Sequence, residues 1–541
     1  MHYEKILRIA ISGDVRLTPD EIRIIDTPAF QRLHFIRQLG NVFQVFSSAN
    51  HTRFEHSLGT LDMADRMFTS LLEDAEAKAL IDPSHRTLVR LYALLHDIGH
   101  LPFGHTLEDE ARITAKHDGE GQFDRFLGPE SDIGKILLEK PGIYERFRNI
   151  WQWSDKKTAS KKGAYDSQIH KDTFVHDIVS STLCADLLDY VKRDDHNCNL
   201  GISLEYRLIN YLGLAKDECG RTRLYVRLWK PSKDDVNSQL RRDVMSDLIR
   251  LLEARYLIAE RVYFHHAKIV GSTMIARSVS EAFKEGAVSE DDLLALGDEG
   301  LLYVIQKQGK GNSKRLAEDF KSRRLYKRVA DLRMRDFSAS QGDYTAEDLA
   351  DRALDLLHSP DRRTKIEDAI ADEIGAQPGD VLIFAPDKGM NQKLADMNVR
   401  WTGGALKPLR ELDDLVVHPR LNAIIESHRQ LWFIGLMVHP KMPSDSKVLA
   451  RMGLEIRLLS YLDKSAIGAY LHELIKRQLA NATLSTNSGN LHDFFRQLDI
   501  ETKDICQNSQ LKDRPEISLR LQINRILEAT IPTLFDKPPM P

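Results

Sequence analysis

Apolar residues recur at helical spacing through most of the first two thirds of the chain. Leu58 to Leu80 reads as one helix, and Arg86 to Ile98 as another with Leu88, Leu91, Leu94 and Leu95 on one side. Gly99 and Pro102 end that second helix. Helical patterns continue through Phe174 to Arg193, Gln239 to Lys268 and Gly271 to Phe283. The polar stretches Ser154 to Gly163 and Lys307 to Lys314 read as exposed loops. After about Gln341 the pattern changes. A helix from Ala346 to His358 is followed by Gly379-Asp380 and a short apolar β-like run, Val381 to Ala385. A second such run, Leu431 to Val438, follows a helix-like Leu421 to Arg429, and the C-terminus reads as helices broken by the polar TLSTNSGN. The expected division is a helical domain over 1–340 and a smaller α+β lobe over 341–541.

A chain of 541 residues is too long for one core, so two or more lobes are expected. Apolar content of 42% with 29% charged residues excludes a disordered chain. A net charge of −4 leaves no global basic field for nucleic acid, so any polyanion site must be a local cluster. Cys184, Cys198, Cys219 and Cys506 are too scattered for a disulfide framework or a paired zinc site, and a reducing cytoplasm is the expected setting. The N-terminus lacks a signal-peptide core, and Leu431 to Val438 falls far short of the roughly 20 residues that span a bilayer, so no membrane is expected.

The chemistry concentrates in LYALLHDIGHLPFGHTLE, Leu91 to Glu108. His96 and Asp97 are adjacent near the end of an apolar helix, and neighbours about 100° apart converge on one point only if it lies between them. A metal ion is such a point, accepting an imidazole nitrogen and a carboxylate oxygen. An isolated His-Asp pair is more often a helix cap beside an unrelated acid. Three features change that balance. NHTRFEHSLG upstream packs His51, Arg53 and His56 before a helix. In ADLLDYVKRDD, Asp186 stands at an apolar position, where a buried carboxylate needs a cation or donors. His100, His105 and His117 then follow at short intervals.

His56, His96-Asp97 and Asp186 resemble the H…HD…D signature of HD-domain phosphohydrolases. The strings IIDTPAFQRLHFIRQLG, NHTRFEHSLG, LLHDIGHLPFGHTLE, LDYVKRDDH and ARYLIAERVYFHH are more specifically similar to deoxynucleotide triphosphohydrolases of the SAM-and-HD-domain type and their bacterial relatives. The likeness runs from about Ile24 to Phe283. It implies a mainly α fold, an HD-domain helical core with a smaller α+β C-terminal lobe. It also implies one divalent metal (Mn, Mg, Fe, Zn, Co or Ni) on His56, His96, Asp97 and Asp186. By the same likeness Arg53 grips phosphate, against a structural reading as a helix-capping ion pair with Glu55 or another acid. One of His100, His105 and His117, with His105 or His117 favoured, protonates the departing 5′-oxygen. Gln38, Leu39, Tyr190 and Asp194 contact the sugar, Arg255 a phosphate, and Tyr263 lies against C2′, excluding a 2′-hydroxyl. The implied substrate is a deoxynucleoside triphosphate, the products deoxynucleoside and triphosphate.

Departures from the pattern are Cys184 and Leu187, in place of an Asp and a Lys beside the last metal ligand, and Phe264 in place of a polar residue near the base. Asp26, Gln31, Arg323 and Lys327 match effector positions of regulated relatives, and such sites imply a homo-oligomer, with a tetramer plausible. His34 and Arg8-Ile9-Ala10 depart from that effector pattern. Two alternatives stand beside the dNTPase reading. One is an HD-type phosphodiesterase or nuclease. The other is a non-catalytic nucleotide or nucleic-acid binder using the basic stretch from Lys321 to Arg328, which otherwise reads as a solvated helix.

Overall fold

The computed structural model describes residues 2–154, 167–229, 240–337, 346–386, 396–400, 404–411, 417–444 and single positions between 446 and 458. Most of the Ser154 to Gly163 stretch, Cys506 and the TLSTNSGN segment lie outside the described residues. The chain divides into two compact units, residues 1–333 with 358–443 and residues 334–357 with 444–541. In the second, the described residues include a short turn, Met334–Phe337, and an amphipathic helix, Ala346–Leu357, that buries Ala350, Ala353 and Leu357. Every residue named above as a candidate site residue lies in the first unit, which is mainly α.

Two helices form the frame of the first unit. Helix α1 (Arg53–Leu71) buries Phe54, Leu58, Leu61, Ala64 and Phe68, and helix α2 (His85–Leu95) buries Leu88, Leu91, Leu94 and Leu95 against it. The expected single helix over Leu58 to Leu80 stops at Leu71. Asp74 then caps a separate short turn of helix by accepting the Ala77 N–H, which lets the chain change direction. The expected helix over Phe174 to Arg193 is likewise two: α3 (Ser167–Ser180) and α4 (Ala185–Cys198), with extended Cys184 as the N-cap of the second. Asp186 therefore stands in the first turn of α4, not in mid-helix.

The expected helix over Gln239 to Lys268 is interrupted as well. Helix α5 (Arg242–Ile258) runs into a single wide turn, Ala259–Tyr263, closed by a bond from Phe264 N–H to Ala259 O, and α6 (His266–Lys284) restarts after extended His265. Lys307 to Lys314, expected as a loop, is mostly helical. Helix α7 (Asp298–Gln308) and helix α8 (Gly311–Lys321) are separated by Gly309 and Lys310 alone. Helix α9 (Pro360–Glu373) packs on the strand Val381–Phe384, and helix α10 (Val417–Arg429) packs on α5.

Two hairpins were not anticipated: β1 (Lys5–Ile9) with β2 (Gly13–Leu17), and β3 (Leu212–Lys216) with β4 (Thr222–Val226). A three-stranded antiparallel sheet joins β5 (Lys327–Arg333), β6 (Val381–Phe384) and a later strand, Phe433–Val438, which lies between the other two and is wholly buried. Its central place satisfies both hydrogen-bonding edges, so a run of Phe433, Ile434, Leu436, Met437 and Val438 can be buried without orphaned backbone groups. A larger apolar core surrounds α1 to α5; a second, around α6 to α8, takes in Leu101, Phe103 and Leu107. The loop after His96-Asp97 is thus anchored in the second core.

Candidate active site

His56 projects from the first turn of α1 and is fully buried. Its Nε2 lies 3.0 Å from Asp186 Oδ1, without the alignment of a hydrogen bond, and 3.7 Å from Asp97 Oδ2. His96, at the C-cap of α2, is held by a 2.8 Å contact from Nδ1 to Ala93 O, so its Nε2 faces the same point, 3.4 Å from Asp97 Oδ1 and 3.8 Å from Asp186 Oδ1. His96 is a cap and a site residue at once. Burial opposes charge on His56, but Asp186, Asp189 and Asp97 outweigh it and hold the imidazole up at about 10. Asp97 is held well below the carboxylate range despite its burial by His96, Arg53 and His100, and Asp186 is depressed by His56 and His96.

The donor set fits a divalent cation. The Nε2 atoms of His56 and His96 are buried with no hydrogen-bond partner. One ligand atom from each of His56, His96 and Asp186 lies within 4.8 Å of the others. Ligands on one cation sit up to about 4.4 Å apart, so sub-ångström shifts close the set. The anionic field that keeps a proton on His56 would equally favour a metal there. Behind His56, Asp189 Oδ2 is 2.9 Å from Nδ1, and the same carboxylate accepts from Arg193 Nε on Oδ2 and Nη2 on Oδ1, each at 2.8 Å, orienting the ring. Gly59 makes room for this pair, since a Cβ there would stand 2.0 Å from Asp189 Oδ1.

Beside that set lies a second group. His100 Nδ1 and His117 Nδ1 stand 3.1 and 2.8 Å from the two oxygens of buried Glu108. Gly99 permits the approach, because a Cβ at that position would meet His117 O at 2.2 Å. Glu108 is in a wide turn, Thr106–Glu110, closed by Ala111 N–H to Thr106 O, a geometry that recurs at functional sites. His105 sits at the rim, half exposed, with Nδ1 2.7 Å from Asp109. Its ring centroid is 4.8 Å from that of His100. Arg53 is buried and donates to Asp97 Oδ2 at 2.5 Å, so the acid it pairs with is one of the site's own rather than Glu55.

Farther along α4, Asp194 is held from both sides. His51 Nε2 lies 2.9 Å from one oxygen, and the Tyr263 hydroxyl donates to the other at 2.7 Å. Burial, Asp194 and Tyr190 push the Tyr263 hydroxyl well above its ordinary range, while Arg255 pulls it back, so Tyr190, Asp194, Arg255 and Tyr263 share one neighbourhood. Gln38 N–H donates to His51 O, its side-chain Oε1 is buried without a partner, and Leu39 is buried beside it.

Residues 53–193 match the HD domain family, and residues 248–459 match the HD associated region. The chain thus carries an HD domain followed by an HD associated region. Among relatives, an uncharacterized protein of Methanocaldococcus jannaschii is 28% identical over 331 residues, 60% of this chain and 59% of that protein. The deoxynucleoside triphosphate triphosphohydrolase SAMHD1 of Bos taurus is 31% identical over 228 residues, 38% of this chain and 37% of the bovine protein. The human enzyme of the same name is 29% identical over 228 residues and is matched over 35% of its length. The chain thus spans less than two thirds of the length of these relatives. HD domains bind divalent metals, and His56, His96 and Asp186 form a group able to hold one.

Sequence reasoning passed over Asp189, Arg193 and Glu108 as partners, and it noted His51 without giving it the contact with Asp194. Helical spacing carried a signal for the first two, because Asp186, Asp189, Tyr190, Arg193 and Asp194 follow i, i+3, i+4, i+7, i+8 and share one face of α4. Among the candidate effector positions, Gln31 Nε2 donates to Ile25 O beside Asp26, the C-cap of a short helix, and Arg323 donates to Gln44 O. Lys327 is exposed on β5. The basic stretch Lys321 to Val329 is not a helix: it covers the end of α8, a turn and the start of β5. Within it Arg324 pairs with Asp319 at 2.7 Å, and Arg328 lies over the Phe433 ring, so part of its charge serves internal contacts. Cys184, Cys198 and Cys219 form no disulfide among the described residues. Among the described residues, no helix is long and apolar enough to cross a membrane.

Proposed function

We propose that the chain is a metal-dependent deoxynucleoside triphosphate triphosphohydrolase, releasing deoxynucleoside and intact triphosphate. The observation that carries this reading is the adjacency of three groups: the His56, His96, Asp97 and Asp186 set, the His100–Glu108–His117 relay, and the Asp194–Tyr263 pair. The names of the vertebrate relatives support it. A divalent cation held by the four ligands would supply Lewis-acid chemistry and neutralise phosphate charge.

The chain's own residues divide the remaining work. Water adds to the α-phosphorus, the bond to the 5′-oxygen breaks, and that oxygen leaves with a proton. Arg53, whose planar fork suits phosphate, steadies charge on the phosphate oxygens. His117 donates the proton, because Glu108 outweighs burial and holds it up at about 9, whereas burial, Arg53 and His117 push His100 down to about 4. His105 with Asp109 lines the rim. Asp194 and Gln38 take the sugar hydroxyl, Leu39 and Tyr190 pack beside it, Tyr263 blocks the 2′ position, and Arg255 meets the phosphate tail. Nucleotide control through Asp26, Gln31, Arg323 and Lys327, assembly into a homo-oligomer, and a cytoplasmic setting belong to the same proposal.

The test is incubation of purified protein with each dNTP and Mn or Mg, with and without added nucleotide, followed by product analysis. Triphosphate with deoxynucleoside is expected. Pyrophosphate, inorganic phosphate or a linear dinucleotide would instead assign a different HD phosphohydrolase activity.

A further inference from the structure

We infer that Asp298 is a positioning residue for Arg53, holding in place the two backbone segments between which that guanidinium is set; this rests on the phosphate role proposed for Arg53. Asp298 opens α7 and is fully buried. Its Oδ1 accepts the Phe103 N–H at 2.7 Å, and its Oδ2 accepts the Arg37 N–H at 3.0 Å and lies 3.5 Å from Arg37 Nη1. A buried carboxylate is costly, and this one directs both oxygens to backbone donors far away in the chain.

Each donor belongs to one wall around Arg53. On one side, Arg37 pairs with Thr52 in an antiparallel bridge, Gln38 N–H donates to His51 O, and Arg53 N–H donates to Ile36 O at 2.9 Å. The backbone of Arg53 is therefore tied to the segment that Asp298 grips. On the other side, Phe103 and Gly104 take left-handed conformations, φ 60° and 46°. A Cβ on Gly104 would stand 2.6 Å from Arg53 Nη2, so the turn held by Asp298 is the surface against which the guanidinium rests. The helix end is seated as closely, since a Cβ on Gly297 would meet Phe35 O at 2.4 Å. Phe103 in left-handed backbone is uncommon for a bulky side chain and persists only where its surroundings hold it. Asp298 supplies that hold.

The experiment is a double-mutant cycle between Asp298→Asn and Arg53→Ala in the full, metal-loaded chain. Calorimetric binding of inorganic tripolyphosphate, steady-state hydrolysis of a dNTP and metal content are read for all four proteins. An amide at 298 keeps one acceptor and turns a donor toward the other N–H, releasing one wall. Asp298→Asn is expected to weaken tripolyphosphate binding and raise KM by roughly 10- to 100-fold with metal content unchanged, and to add little in the Arg53→Ala background. Asp298→Glu, which keeps both acceptors but displaces them by one methylene, goes through the same cycle and is expected to lose less; it decides the matter if the amide variant does not fold. Wild-type affinity in the variants, or losses that add fully to those of Arg53→Ala, would overturn the positioning role. A wild-type chain that binds tripolyphosphate yet hydrolyses no dNTP overturns the proposed activity alone.

Discussion

The imidazoles of His100 and His117 lie face to face, ring centroids 3.6 Å apart and planes 19° from parallel. Their protonation is nonetheless opposite near neutrality. Burial lowers both, Arg53 adds to that at His100, and Glu108 reverses it at His117. A proton donor with a raised pKa keeps its proton below that value and loses it as pH rises through it. Turnover is therefore expected to hold to about pH 9 and fall above it. Glu108→Gln should move that alkaline limb downward, and His117→Asn should lower kcat by roughly 10²- to 10⁴-fold. Profiles of kcat against pH for the three proteins check this; a limb that stays in place in Glu108→Gln would remove His117 from the donor role.

Orientation of the metal-facing imidazole depends on Asp189, which reaches His56 Nδ1 at 2.9 Å. Asp189→Asn is expected to weaken metal affinity by roughly 10- to 100-fold, and Gly59→Ala, which drives a methyl into the Asp189–Arg193 pair, should act in the same direction. Asp186→Asn should lower metal content further. Competition against a chromophoric chelator measures all three, and full removal of metal should abolish hydrolysis.

Sugar choice is placed on Tyr263, tied to Asp194 by a 2.7 Å bond. Truncation by Tyr263→Ala opens the space assigned to the 2′ position. The preference for deoxy- over ribonucleoside triphosphate, as the ratio of kcat/KM values, is expected to fall by roughly 10- to 100-fold. An unchanged ratio would move discrimination elsewhere.

Stability of the framework leans on a buried ion cluster. Arg277 of α6 donates to Glu367 of α9 at 2.5 Å and to Asp368 at 2.8 Å, while Glu367 also accepts the Ile383 N–H at 2.7 Å. Arg277→Ala leaves the Glu367 carboxylate buried beside a strand with its main countercharge gone. A loss of about 3–5 kcal/mol in denaturant unfolding is expected.

Period and residue type in the sequence determined the helical character of the chain, the two late β-like runs and the identities of the residues that now face one another. His56, His96, Asp97 and Asp186 could be read as a set because their types and order resemble the H…HD…D signature, with Asp186 unusual at an apolar position. Helix ends were harder to read, since Asp74, Cys184 and the wide turn at Ala259–Tyr263 interrupt apolar runs that periodicity alone joins. Helical spacing hinted at Asp189 and Arg193 behind His56, but the donors that Asp298 takes were decided by tertiary structure alone. Nothing local to Asp298 points to Phe103, 195 residues away, or to Arg37, 261 away. Carboxylates find such donors only when packing removes water and leaves them no other partner, and that condition is a property of the folded interior.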